Sequence, residues 1–371
     1  MLELLREIVD IDSNSYDKAG VDAVGEAIER FLTARGIAVS RLPLSDHGDV
    51  FIAELPGSDN QAPVLLMGHR DTVFPTGEAA RRPFTIRDGR AYGPGVADMK
   101  AGLVMNAFVM AAFAALKLPH PPLLALFSSD EEIGTPACKT AIRETAGRAQ
   151  AVFNAEPGRI SGNVVLARRG GIFFRAKVTG RAAHAGLDYE RGRSAILATA
   201  RKIEAWHGLT DQVADVTVNV GLVSGGQSVN TVAPGASCEI DLRYTAPADR
   251  DRLIAAITEI ALAESVPETT GEIEIIGEFL PVAQDPAQGA LFDLYQGCAA
   301  QAGLALEGEF TRSCADSGLT ADLGIPTICA TGPVGALAHS PDEYLEIATF
   351  VPRAQALALT LMSMAGNGNH A

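Results

Sequence analysis

Four short apolar runs, Val64 to Met67, Leu123 to Phe127, Ala151 to Phe153 and Thr327 to Ala330, show no polar alternation and are bounded by polar, Gly or Pro residues. Runs of this kind predict strands buried on both faces of a sheet. Between the first two lies KAGLVMNAFVMAAFAAL, about Lys100 to Leu116, apolar nearly all round and therefore a helix packed on that sheet. A last helix is predicted over about Ile347 to Met364, ahead of a tail, AGNGNHA, that has nothing to bury. The middle of the chain differs. Gly171 to Thr179 alternates like a half-exposed strand, Arg191 to His207 has helical spacing, and Val216 to Val223 and Ser237 to Thr245 read as strands. A helix from about Ala248 to Ala263 and a strand from Glu272 to Ile276 complete a β-α-β-β-α-β order, the split βαβ sandwich. The pattern therefore predicts an α/β domain, residues 1–166 and 278–371, interrupted by a ferredoxin-like insert over 167–277.

The length of 371 residues leaves room for two or three domains. Apolar residues at 47% and charged residues at 20% give an ordinary globular balance and exclude a disordered chain. A net charge of −15 removes the electrostatic footing for nucleic acid or an anionic bilayer and leaves small molecules or peptides as the expected partners. Five cysteines without a CxxC or Cys/His cluster fit a reducing compartment with no disulfide framework. The acidic, amphipathic start MLELLREIVDIDS lacks the features of a secretory leader, and no run of roughly 18 uncharged apolar residues occurs. The expectation is a cytoplasmic protein.

The chemistry gathers at strand ends, where open α/β sheets place ligands. The strand Val64 to Met67 runs into Gly68-His69-Arg70-Asp71, which offers an imidazole ligand and a carboxylate to orient it. Asp98 lies in a Gly-rich turn, Gly93 to Lys100, that admits close backbone approach and a carboxylate bridging two cations. Glu131 and Glu132 follow a strand in SSDEEIGT, Glu156 follows another in NAEPG, and His339 sits in GALAHS after the last. Taken singly, these also read as a surface His, a helix N-cap and a solvated acidic loop. Taken together they place two His and five carboxylates at one sheet edge. Unit charges about 4 Å apart repel by roughly 4 kcal/mol at an effective dielectric near 20, so cations must compensate. Mixed His and carboxylate donors suit Zn²⁺, with Co²⁺ or Mn²⁺ as alternatives.

The strings HRDTVFPTG, RPFTIRDGRAYGPGVADMKAGL, SSDEEIGT, EPG, RAAHAG, SVNTVAP, EIDLRY and AHSPDEY together resemble the dinuclear zinc metallopeptidases: glutamate carboxypeptidase, acetylornithine deacetylase and succinyl-diaminopimelate desuccinylase. TVFPTG and YGPGVADMKAGL look most like the glutamate carboxypeptidase branch. The resemblance covers nearly the whole chain. It implies a zinc-peptidase-like catalytic domain with a central, mostly parallel sheet, interrupted by a dimerisation or lid domain. His69 and Glu156 would hold one zinc, Glu132 and His339 the other, with Asp98 bridging and the 98–99 peptide cis. Asp71 would orient His69. Glu131 would be the general base toward a zinc-bridged water.

In the insert, the resemblance implies that His184 reaches the partner subunit's active site and stabilises the oxyanion, and that Asn230 and Arg243 receive a substrate carboxylate. A homodimeric metal-dependent hydrolase is thus expected, cleaving an amide beside a free carboxylate in a short peptide or N-acyl amino acid. Alternatives are an N-acyl-amino-acid deacylase, a hydrolase of a non-peptide amide or C–N bond, and a silent binding protein. Two departures bear on the substrate. Phe279-Leu280-Pro281 stands where carboxypeptidase-branch relatives often carry Arg-Pro, and Arg159 stands where a folate-type glutamate pocket would offer a lysine.

Overall fold

A computed structural model describes residues 1–58 and 61–366; the end of the AGNGNHA tail lies outside the described residues. The chain divides into two compact units. The first comprises Met1–Ala167, Gln284–Thr311 and Ala315–Ala371; the second comprises Arg168–Ala283 with Arg312–Cys314. The second unit extends past residue 277 because its last strand runs to Phe279, and Val282 then exchanges two backbone hydrogen bonds with Arg168, both 3.0 Å.

The first unit is built on a six-stranded sheet in the order Ala38–Leu42, Val50–Leu55, Leu123–Ser128, Val64–His69, Ala151–Asn154, Thr327–Ile328. The last four strands run parallel to one another, and the first two join antiparallel. Val64–His69 and Leu123–Ser128 are buried at every position, as their unbroken apolar runs predict. The chain reaches the parallel partner Leu123–Ser128 through the helix Ala101–Leu116, which packs against both strands. Leu103, Val104 and Met110 on that helix share one core with Leu66, Phe127, Phe153 and Leu357. The predicted last helix is Phe350–Gly366.

Two helices are long and apolar enough to cross a membrane by length and composition alone, Val96–Leu116 and Ile347–Ala365. Neither is the uncharged run sought in the sequence, since charge interrupts each, Asp98 and Lys100 in one and Arg353 in the other. The first has 72% of its apolar stretch buried inside the protein, the environment of a core helix.

The second unit carries a four-stranded antiparallel sheet in the order Thr217–Gly225, Gly235–Tyr244, Gly170–Thr179, Thr270–Phe279. Helices Ala195–His207 and Arg250–Leu262 cover one face, where Ile172, Phe174, Ile240 and Leu242 meet Trp206 and Ile257. Ser194 caps the first helix by accepting the Leu197 N–H at 3.1 Å. All five cysteines are free, and four of them are buried.

Gly102 couples helix packing to the chemistry below. A Cβ at this position would run into the carbonyl oxygen of Ala155, the residue before Glu156. Gly102→Ala should therefore cost about 1–3 kcal/mol, as overpacked core substitutions do, read as a lowered urea midpoint at unchanged slope.

Candidate metal centre

Strand Val64–His69 ends with His69 buried and its ring held from behind. His69 Nδ1 lies 2.9 Å from the Asp71 backbone oxygen and 3.4 Å from its Oδ1. The Asp71 carboxylate, fully buried, accepts the Ser15 hydroxyl at 2.7 Å and the backbone N–H groups of Glu131 and Glu132, both at 3.1 Å. One side chain thus backs the imidazole and fixes the acidic turn. Burial alone would lower the His69 pKa, but the bonds to Asp71 and Asp98 and the charge of Glu131 raise it well above the usual value.

Asp98 does not cap a helix. It lies in a π-turn, Val96–Lys100, ahead of Ala101–Leu116, where Lys100 occupies the N-cap position without a side-chain cap. The 98–99 peptide is cis. Asp98 Oδ1 faces His69 Nε2 at 3.3 Å, while Oδ2 faces His339 Nε2 at 3.4 Å. Burial raises its pKa, yet the bonds to His339 and His69 outweigh burial and hold the group well below the usual carboxylate range.

Glu131 and Glu132 form a 3₁₀ turn, Glu131–Ile133, directly after strand Leu123–Ser128. The pair is not a solvated loop. Glu131 Oε2 is 3.9 Å and Glu156 Oε1 3.7 Å from His69 Nε2, and Glu132 Oε2 is 3.0 Å from His339 Nε2. Desolvation, then the charges of Glu156, Asp316 and Glu132, push Glu131 well above the usual glutamate range against the pull of His69. His339 sits on the hairpin between Gly335–Ala336 and Tyr344–Glu346 with φ +64°, an uncommon conformation for a residue with a Cβ. Hydrogen bonds to the Asp98 and Glu132 carboxylates raise its pKa to about 10.

Two supporting acids escaped the sequence reading. Glu343, buried, accepts the backbone N–H groups of Gly95 at 3.0 Å, Ala97 at 2.8 Å and Asp98 at 3.0 Å, so it fastens the Asp98 turn to the His339 hairpin. Its only sequence signal was membership of AHSPDEY. Asp316, also buried, accepts the Thr135 hydroxyl at 2.6 Å and the Ser128 hydroxyl at 3.2 Å, bracing the turn that carries Glu131. Nothing local in the sequence marks it. Burial raises both acids to about 7.

The donor atoms fit divalent ions. Ligands bound at about 2.0 Å in a tetrahedron stand roughly 3.3 Å apart. His69 lies at comparable distances from Asp98 (3.3 Å) and Glu156 (3.7 Å), and His339 from Asp98 (3.4 Å) and Glu132 (3.0 Å); the donor atoms of His69, Asp98 and Glu132 all lie within 4.8 Å of one another, as do those of His69, Glu131 and Glu156. Glu132 Oε1 is buried without a hydrogen-bond partner, an acceptor aimed at something other than protein.

The second unit does not gather its three candidates. His184 Nδ1 accepts the Gly186 N–H at 3.2 Å, which leaves Nε2 as the nitrogen able to donate. The Asn230 carbonyl accepts the Ala185 N–H at 2.9 Å, so His184 and Asn230 lie on adjoining segments. Arg243 stands elsewhere. It is paired with Gly171, whereas His184 and Asn230 follow Thr179 and precede Gly235 at the other end of the same ladder. Eight residues of strand, roughly 27 Å at 3.4 Å per residue, separate the two ends. Arg243 donates to Asp241 Oδ1 and Cys314 Sγ, each at 2.7 Å.

Peptidase family M20/M25/M40 matches residues 65–363. Carboxypeptidase G2 of Pseudomonas sp. (strain RS-16) is 28% identical over 99% of this chain and 90% of its own. Acetylornithine deacetylase of Edwardsiella ictaluri is 24% identical over 95% of this chain and 94% of its own. Among solved structures, aminopeptidase PepT from Bacillus cereus shares the fold, with a TM-score of 0.77 at 22% identity over 98% of both chains. A family match that runs from the strand ending in His69 to the last helix, over a cluster of acids and imidazoles spaced for divalent ions, shows that the chain belongs to peptidase family M20/M25/M40 and is a metallo-hydrolase.

Proposed function

We propose that the protein hydrolyses an amide bond beside a free carboxylate, in an N-acyl amino acid or a short peptide, with two zinc ions per subunit. The observation that carries this reading is Asp98, whose two oxygens each face a different imidazole while a glutamate completes each set. His69 and Glu156 would hold one ion, His339 and Glu132 the other, with Asp98 between them. The pair would supply Lewis-acid polarisation of the amide carbonyl and a hydroxide at neutral pH.

The remaining roles belong to the chain. Glu131, backed by the carboxyl of Asp316 and fixed by Asp71, takes the proton of the attacking water and returns it to the leaving nitrogen. His184, whose Nδ1 accepts the Gly186 N–H, donates from Nε2 to the oxyanion. Arg243 offers a planar fork to the substrate carboxylate, and Asn230 an amide. Because Arg243 and the His184–Asn230 pair stand at opposite ends of one ladder, a single copy cannot present both to one small substrate, which supports a homodimer whose second copy completes each site. Carboxypeptidase and deacetylase relatives agree with carboxylate-bearing substrates. Five free thiols agree with a reducing compartment, the cytoplasm.

Three outcomes are expected. Glu131→Gln should retain both metals by elemental analysis yet lose at least ~10²-fold in kcat; full turnover would remove Glu131 as base. Asp71→Asn, which keeps one acceptor oxygen for three donors, should weaken metal binding about 10-fold or more in chelator competition. Co-expressed His184→Ala and Arg243→Ala chains should form heterodimers with one intact site, active where either homodimer is crippled. Absence of that rescue would place both residues in one subunit's site.

A further inference from the structure

Three segments of the first unit that lead into or out of the proposed ligands also wall a single cavity of about 430 Å³. Ala97 precedes Asp98, Pro157 follows Glu156, and Ala338 precedes His339, so the cavity borders the backbone that carries three of the proposed ligands. The volume is within the usual range for small-molecule sites. Its wall mixes polar and apolar groups, the apolar share slightly the larger. Ile160, 75% exposed, and Leu337, 56% exposed, stand at its edge, and Ala336 and Pro157 contribute to the wall. Large aliphatic side chains left in water beside a cavity gain by covering it with an apolar occupant.

The charges at this cavity cancel. Glu309 Oε1 accepts Arg159 Nε at 2.9 Å, while Glu309 Oε2 accepts the Ser161 hydroxyl at 3.2 Å and Asn163 Nδ2 at 3.1 Å. Burial would raise the Glu309 pKa, but the bonds from Asn163, Arg159 and Ser161 hold it below the usual glutamate range. It therefore stays ionised and neutralises the one cation on the wall. Glu309 thereby offsets the charge of Arg159, so the wall carries no net positive charge for a second substrate carboxylate.

We propose that this cavity receives the acyl side of the substrate and selects an uncharged aliphatic or aromatic acyl group, with Glu309 enforcing the selection by sequestering Arg159. The inference rests on the amide-hydrolase reading above and narrows its substrate class. An N-succinyl group brings a carboxylate that the wall cannot pair. A dipeptide with a free amine brings a cation that meets no spare anion among the wall residues. The favoured substrate is an N-acyl amino acid with a neutral acyl group, its only carboxylate being the one assigned to Arg243.

The test compares N-benzoyl, N-acetyl and N-succinyl derivatives of one amino acid, with the matching free dipeptide, on zinc-loaded enzyme. The benzoyl compound should exceed the succinyl compound and the dipeptide at least 10-fold in kcat/KM; parity or reversal overturns the proposal. Glu309→Gln should release Arg159 and raise the succinyl-to-benzoyl ratio at least 5-fold, and adding Arg159→Gln should reverse that gain. Ile160→Trp, at an exposed position, should lower the benzoyl-to-acetyl ratio at least 5-fold. Unchanged ratios in these variants overturn the assignment. Saturation-transfer NMR on the metal-free enzyme supplies a readout independent of turnover. Its phenyl protons should be the most strongly saturated part of the benzoyl compound, and the effect should fade with Ile160→Trp. If no panel member is hydrolysed while this ring contact persists, the reaction fails and the pocket stands. If hydrolysis proceeds without ring contact, the pocket fails and the reaction stands.

Discussion

The molecule is organised around a concentration of negative charge that water cannot relieve. Asp98, Glu131, Glu132 and Glu156 are crowded within reach of two imidazoles in a buried setting, and Asp71, Asp316 and Glu343 stand immediately behind them. Burial first, and then repulsion between carboxylates this close, raises the pKa values of Glu131, Glu132, Asp316 and Glu343 when no cation is present. The fold tolerates the crowding because each supporting acid is satisfied by backbone amides or hydroxyls. Three N–H groups point at Glu343, and two N–H groups and one hydroxyl point at Asp71. The polar network is thus both the cost of the site and the means of its rigidity.

Much of this arrangement was legible in the sequence for a simple reason. Buried parallel strands announce themselves as unbroken apolar runs, and a parallel sheet sends all its C-terminal ends to one edge. His69, Glu131, Glu132 and Glu156 follow such runs directly, so their convergence could be anticipated. Asp98 was ambiguous, since an acid before a helix reads equally well as a cap; the π-turn that points it away from the helix N–H groups is a tertiary feature. Glu343 and Asp316 were invisible because their partners lie about 245 and 180 residues away in the chain. No local pattern encodes a bond of that span.

The second unit shows the opposite limit. Its βαββαβ order was readable from alternation, yet alternation says nothing about which end of a ladder a residue occupies relative to a functional neighbour. Asn230 and Arg243 are thirteen positions apart and were paired by resemblance; the strand between them carries them to opposite ends. Arg159 likewise looked like a spare cation until its bond to Glu309, 150 residues on, appeared. The acids and imidazoles of the cluster are thus written at strand termini, whereas the bonds of Arg159 to Glu309 and Arg243 to Cys314 join distant segments.

The tie between Glu343 and the turn at Asp98 reaches beyond catalysis to biosynthesis. A chain leaving the ribosome exposes His69, Asp98, Glu132 and Glu156 long before His339 and Glu343 are made. Until those last segments emerge, the turn at Asp98 lacks the carboxylate that receives its three N–H groups, and a chain cut short before Glu343 would leave that turn unfastened.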